Sequence, residues 1–168
     1  MVNLTVMVWI AMTVSINYYL ISFLAVTFSR PYLQVLFSTL AEIVAYATSG
    51  LLFKCLGAKP SLFLSLAISA SSGLAICLSK PAICLVMLAK FGISATYNIQ
   101  LCTLVHVYPS SFLATGFGIG HFFGVLFQIS TPFIAAMQEP LPIGIFSALS
   151  TLAALITPFL RINVAAKQ

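Results

Sequence analysis

Long apolar runs, cut at short intervals by proline, glycine and single charges, set the pattern of this chain. Six can be marked, over residues 5–28, 32–54, 61–79, 82–107, 112–137 and 141–160. Each has about the 20 residues that a helix needs to cross a hydrocarbon core. Backbone amides in such a core must be satisfied within their own segment, so each run predicts a helix. The interruptions are Ser29-Arg30-Pro31, Gly57-Ala58-Lys59-Pro60, Lys80-Pro81, Pro109-Ser110-Ser111 and Gln138-Glu139-Pro140. Proline costs least in such turns, where its missing N–H and fixed φ do no harm. The turns are only a few residues long, so successive helices are expected to be antiparallel neighbours. They leave no room for a soluble catalytic domain, and any chemistry must lie inside the helix bundle or at its mouth.

Polar positions inside the spans are few and cluster in spans one, two, four and five; spans three and six hold only Ser and Thr. Asn17-Tyr18-Tyr19 falls near the middle of span one, and Tyr97-Asn98 with Gln100 in span four. These are the first helices of two three-span halves. An odd number of spans per half inverts one half relative to the other, and inverted repeats with polar sites on corresponding helices are a transporter pattern. The alternative is that the same side chains hydrogen-bond between helices as structural glue.

Lys90 stands out, because a lysine at bilayer depth costs roughly 2.5 to 3.5 kcal/mol on insertion scales. Glu42 is the only acidic residue inside a span. It lies roughly 15 Å below the outer end of its helix and Lys90 roughly 12 Å below the end of its own. The depths match, so the two are expected to pair, either as a fixed ion pair or as one that exchanges partners when substrate or a proton binds. Lys90, Ser94 and Asn98 recur every four residues and form one helix face, the candidate lining of a cavity. In span five, Gly116, Gly120 and Gly124 make a small-residue ridge suited to close helix packing. His121 and Gln128 share another face, with Val125 between them. A histidine at this depth is read either as a proton or substrate contact or as a hydrogen-bonded structural residue. His106 is read as interfacial.

Composition fixes the class. The chain is 61% hydrophobic and 5% charged, against about 25% charged in ordinary soluble domains. The expectation is an all-α, multi-pass membrane protein whose surface meets the lipid bilayer. Its net charge of +5 comes from scattered basic residues, which mark span ends and form no nucleic-acid footprint. Lys54, Lys59, Arg161 and Lys167 fall on one side; Arg30 and Lys80 fall on the other with Glu139. The bias places both termini in the cytoplasm. The N-terminus lacks the basic region of a cleavable signal peptide. Cys55, Cys77, Cys84 and Cys102 form no CxxC and no cluster with histidine, so no metal or cofactor is expected. No nucleophile with its base, HExxH, phosphate-binding loop or acid pair is present, and an enzyme is not expected.

Span two carries a resemblance. Pro31-Tyr32-Leu33-Gln34, followed by Ala41-Glu42-Ile43-Val44-Ala45-Tyr46, resembles the eighth helix of the organic cation and anion transporter family of the major facilitator superfamily, where the pattern is close to Y-L-N and V-E-I-P-A-Y. The stretch from Gly50 to Pro60 resembles the superfamily's G-x-x-x-D-R-x-G-R-R cytoplasmic loop, with Gly50, Gly57 and Lys59 fitting and Lys54, Cys55 and Ala58 departing. Lys90-Phe91-Gly92-Ile93 resembles the opening of the tenth helix. Tyr108-Pro109 is similar to a turn that otherwise carries a glutamate and an arginine, here His106 and Leu113. The spacing continues to Thr131-Pro132-Phe133-Ile134 in the eleventh helix.

The resemblance implies that the six spans are one half of a major facilitator superfamily fold, two inverted three-helix repeats, acting as a carrier of small organic solutes by alternating access. It implies that spans one and four line a central cavity, through Asn17, Tyr18, Lys90, Ser94, Tyr97 and Asn98, with His121, Val125 and Gln128 on flanking span five. It brings spans two and four together and puts spans three and six at the periphery. It implies a partner, a missing N-terminal six-helix half or a second subunit, and a plasma-membrane location. Where the family carries a charged residue in its eleventh helix, this chain has Val125. Its rivals are a degenerate, non-transporting membrane protein kept for assembly, and a channel, which the absence of pore-lining charge rings disfavours.

Overall fold

The computed structural model describes residues 2–27, 31–79 and 82–160. Arg30, Lys80, Arg161 and Lys167, on which part of the charge balance rests, lie outside the described residues, as do Phe28, the Ser29-Arg30 part of the first turn and Lys80-Pro81. The described residues are helical throughout, joined only by short turns. In chain order the helices are α1 (Val2–Thr27), α2 (Pro31–Leu56), α3 (Ala58–Leu78), α4 (Ile83–Val107), α5 (Ser110–Gln128), α6 (Thr131–Ala135) and α7 (Leu141–Ile156), closed by a 3₁₀ turn, Thr157–Phe159. With α5 and α6 counted together, six segments are long and apolar enough to cross a membrane. The protein is an integral, multi-pass membrane protein.

Two connections show how little chain a turn needs here. Between α2 and α3 only Gly57 is non-helical, at φ 85°. That left-handed conformation reverses the chain at low cost only without a Cβ. Span five does not run unbroken over 112–137 as its composition suggested. It breaks at Ile129–Ser130 and restarts as α6, with Pro132 in its first turn. The Pro132 ring would strike the Gln128 carbonyl and offers no N–H in return, so the longer helix cannot continue through it.

Lipid is as apolar as leucine, so close packing and hydrogen bonds must hold such helices together. The tightest contact joins α3 to α4. A Cβ on Gly92 would stand 2.7 Å from the Ser69 amide nitrogen and 2.8 Å from the Ser65 carbonyl oxygen, so only glycine fits. Beside it, Thr96 Oγ1 lies 2.9 Å from Ser65 Oγ. Ser61, Ser65, Ser69 and Ser72 form a buried row on α3, and most return their hydroxyls to carbonyls of their own helix. Small side chains thus bring backbones together while their hydroxyls stay hydrogen-bonded within the helices.

The helices pair in a definite pattern. The second helix of each half packs on the first helix of the other: α2 on α4, and α5 on α1. The third helices, α3 and α7, pack on each other, and α1 meets α4 in the middle. On α5, Gly120 faces the methyl of Ala11, and a Cβ on Gly124 would stand 2.7 Å from Ser15 Oγ. The ridge therefore meets small residues four apart on α1. Gly116 instead packs under the Tyr108 ring. The core runs between these helices through Ile10, Leu20, Leu62, Ile93, Ile99 and Phe146, all buried.

Candidate functional site

Glu42 stands in the middle of α2, and its carboxylate gathers side chains from α1, α2 and α4. The Tyr18 hydroxyl donates to Oε1 at 2.5 Å. The Tyr46 hydroxyl, one turn along α2, donates to the same oxygen at 3.0 Å. On the other side, Lys90 Nζ lies 3.7 Å from Oε2. Lys90 Nζ also donates to Ser22 Oγ at 2.7 Å and sits 3.5 Å from the centroid of the Tyr18 ring. Spacing explains the convergence. Residues four apart share a helix face, which aligns Tyr18 with Ser22 and Glu42 with Tyr46, and α2 packs on α4 at the level of Lys90.

The Lys90 side chain is 5% exposed and that of Glu42 17%. A buried charge is tolerable when its partner and hydrogen bonds meet its remaining valences, and very costly otherwise. Here the carboxylate has two phenol donors as well as a cation, and the ammonium has a carboxylate, a hydroxyl and an aromatic face. The pair is a closed, neutral unit.

In front of it lies a cavity of about 230 Å³, lined by Ser15, Tyr18, Tyr19, Tyr46, Tyr97, His121 and Gln128. Tyr18 sets its back wall. The Tyr19 ring stands edge-on to it at 5.3 Å, and the Tyr97 ring lies 6.5 Å away. His121 stacks on Phe117, one turn back on α5, at 5.5 Å and 9° between planes. The chamber presents the rings and phenol hydroxyls of four tyrosines, one amide, one serine hydroxyl and one imidazole. Such a set binds flat or apolar groups that also carry a few hydrogen-bonding atoms.

The expected site residues divide. Tyr18, Tyr97, His121 and Gln128 line the chamber. Lys90 and Glu42 lie behind it. The others do not reach it. Asn17, next to Tyr18, is turned about 100° around the helix and is fully buried against α7; its amide donates to the Phe146 carbonyl at 3.1 Å and to Ser150 Oγ at 2.8 Å. Asn98 reaches α2, donating to Ser49 Oγ at 2.6 Å. Ser94 is fully buried, and its hydroxyl has no partner among the described residues. The face of Lys90, Ser94 and Asn98 thus does not line this chamber. α2 covers much of it, and Tyr97, a quarter turn away, takes the chamber wall on α4. Val125 is exposed and lies outside the chamber. Lys59 stands just past the Gly57 turn, and Gly50 has open space around its Cα.

Ser15, Ser22 and Tyr46 complete the site and were not singled out as site residues from sequence, and Tyr19 was named there only as part of the polar trio of span one. Tyr46 had a signal in its four-residue offset from Glu42. Ser15 and Ser22 had none, since serines occur throughout the chain. Among the described residues no three of His, Cys, Asp and Glu come together as metal ligands. No family model matches the chain, and no curated protein does.

Proposed function

We propose that this protein is a carrier unit that moves small organic solutes across a membrane by alternating access, with the tyrosine chamber as its solute site. The observation that carries the reading is the chamber itself, with a neutralised Glu42–Lys90 pair buried behind it in the middle of the helices. Ionisable residues inside membrane spans are expensive and mark functional pathways by default. The pairing of helices supports the same reading. When each half's second helix packs on the other half's first, and the third helices pack together, the pattern is what two inverted three-helix repeats produce. On this reading the fold is one half of a major facilitator superfamily carrier, in keeping with the sequence motifs around Glu42, Gly57 and Lys90.

The other half is a second six-helix unit, in the same polypeptide or another. It faces α2 and α5, whose most apolar stretches are 22% and 11% buried, against 44–56% for the other spans. Tyr46, His121 and Gln128 stand on this side, and polar groups at membrane depth are unfavourable against lipid. Both termini are cytoplasmic and the membrane is the plasma membrane.

The test is uptake into proteoliposomes bearing the protein, with labelled organic cations, anions, zwitterions and neutral solutes. Saturable uptake of at least one class is expected, with loss of that uptake in Tyr97→Ala and in Lys90→Ala. Absence of saturable uptake for every class, also when the protein is supplied with its second unit, would sink the reading. It would favour the alternative of an assembly protein that does not transport, which the uncharged Val125 and the altered loop after Gly50 already suggest.

A further inference from the structure

Two further spaces adjoin the tyrosine chamber, and all three share lining residues in sequence. Next to the chamber is a neck of about 20 Å³ that shares Ser15, Tyr97 and His121 with it. Beyond the neck is a groove of about 380 Å³ that shares Leu101, Leu104 and Phe117 with the neck. Two antiparallel helices give the same order independently. Along α4 it reads Tyr97 in the chamber, Gln100 in the neck and Val105 in the groove; along α5 it reads Gln128, Gly120 and Ala114. From Tyr97 to Val105 the path covers about 12 Å of helix. The groove exists because α4 and α5, though joined by a short turn, touch far less than α1 touches either of them.

The three spaces differ in chemistry. The chamber is aromatic and polar. The groove is walled by leucines, Val105, Ala114 and Phe117, with Ser110 at its far end. One residue on the wall of the neck carries a polar atom in an unusual state. Gln100 is 6% exposed, and its carbonyl oxygen Oε1 is buried with no hydrogen-bond partner among the described residues. An unmet buried acceptor is costly, and a neck of only about 20 Å³ brings any group that passes through it close to Gln100. Apart from His121 and the tyrosines, no residue lining any of the three spaces can carry a charge. Glu42 and Lys90 are committed to each other behind Tyr18.

We propose that chamber, neck and groove form one elongated site for an uncharged amphiphile: a polar or aromatic head among the tyrosines, an N–H or O–H donor on Gln100 Oε1, and a hydrocarbon tail between α4 and α5. The inference rests on the reading of the chamber as a solute site and names the class of solute. Continuity with a polar chamber assigns the groove to the tail of the same molecule. Lipid seated independently in the groove would leave the Gln100 carbonyl unmet.

Equilibrium binding to the full chain in nanodiscs, with three labelled probes, tests this. N-octanoyl-tyramine carries head, donor and tail; N-acetyl-tyramine lacks the tail; tyrosol octanoate replaces the amide N–H with an ester oxygen. The octanoyl amide should bind at least about tenfold tighter than the acetyl amide, since several methylenes leave water. It should bind about tenfold tighter than the ester, which leaves Gln100 unmet. Filling the groove from either wall, with Ala114→Phe or Val105→Phe, should remove the gain from the tail. Gln100→Leu should remove the preference for amide over ester. The unfolding midpoint of each variant without probe reports that it folds.

A tail gain that survives both groove variants belongs to the surrounding lipid and overturns the proposal. Equal binding of amide and ester, or a preference that survives Gln100→Leu, overturns it as well. In these cases the acetyl amide still binds, and the chamber stands as a solute site. If none of the three probes binds while an organic ion is taken up, the amphiphile is wrong and the carrier reading stands. If nothing binds and nothing is taken up, both fail.

Discussion

Lys90 and Glu42 stabilise the protein only as a pair, and that asymmetry is measurable. Lys90→Met would leave a carboxylate buried with two phenols and no cation; breaking one side of such a pair costs about 3 to 5 kcal/mol. Replacing both, as Lys90→Met with Glu42→Gln, should recover most of the loss, because the neutral amide still accepts from Tyr18 and Tyr46. Unfolding in mixed detergent micelles checks this, and equal destabilisation by single and double variants would count against the pair. Asn17 makes the opposite case. Its bonds to Ser150 and the Phe146 carbonyl tie α1 to α7 away from the chamber. Asn17→Leu should cost on the order of 1 kcal/mol, in the range of hydrogen bonds between membrane helices, and leave probe binding unchanged. Adjacent residues, Asn17 and Tyr18, thus serve separate ends. The sequence reading placed them on one surface, although neighbours on a helix point about 100° apart.

At the scale of the helix, glycine shows how far the sequence could be read. Gly50 and Gly92 are alike as letters within apolar spans. A Cβ on Gly92 would strike the α3 backbone, whereas one on Gly50 meets nothing within 4 Å. Gly92→Ala should therefore force α3 from α4 and cost about 1 to 3 kcal/mol, as overpacking does. Gly50→Ala should gain up to about 1 kcal/mol of helix propensity. Thermal unfolding of the two variants should show shifts of opposite sign. The existence and approximate length of the helices could be read because a bilayer demands a minimum run of apolar residues. Their facing could not. A soluble helix shows its buried side by a polar opposite face, but these spans are apolar all round, and nothing in the letters separates a lipid-facing leucine from a core one. The serines of α3 were passed over for the same reason. They read as inert small residues, yet they let α3 and α4 approach so closely that only glycine fits at position 92. The break at Ile129–Ser130 was more legible, since Pro132 marks it.

For the whole molecule, sidedness follows from which helix ends lie together. Phe53, near the end of α2, packs on His106, near the end of α4, with ring centroids 5.1 Å apart. The Gly57 turn and the Pro109 turn therefore share one face of the bundle. Lys54 and Lys59 lie at that face, while Glu139 lies in the connection between α6 and α7. A helical segment separates that connection from the Pro109 turn, so α5 and α6 must carry the chain across before it is reached. Basic residues in short loops tend to be retained on the cytoplasmic side, whereas acidic ones contribute little, so the proposed orientation puts the Gly57 face in the cytoplasm. The prediction needs a background in which Cys55, Cys77, Cys84 and Cys102 are replaced by serine or alanine. In intact cells a membrane-impermeant maleimide should label Glu139→Cys and spare Lys59→Cys and Ser111→Cys until the membrane is opened. Labelling of positions 59 and 111 from opposite sides would break the six-span topology itself. Labelling of both from outside would keep the topology and invert it, and would place the Tyr108 end of the α4–α5 groove in the outer leaflet.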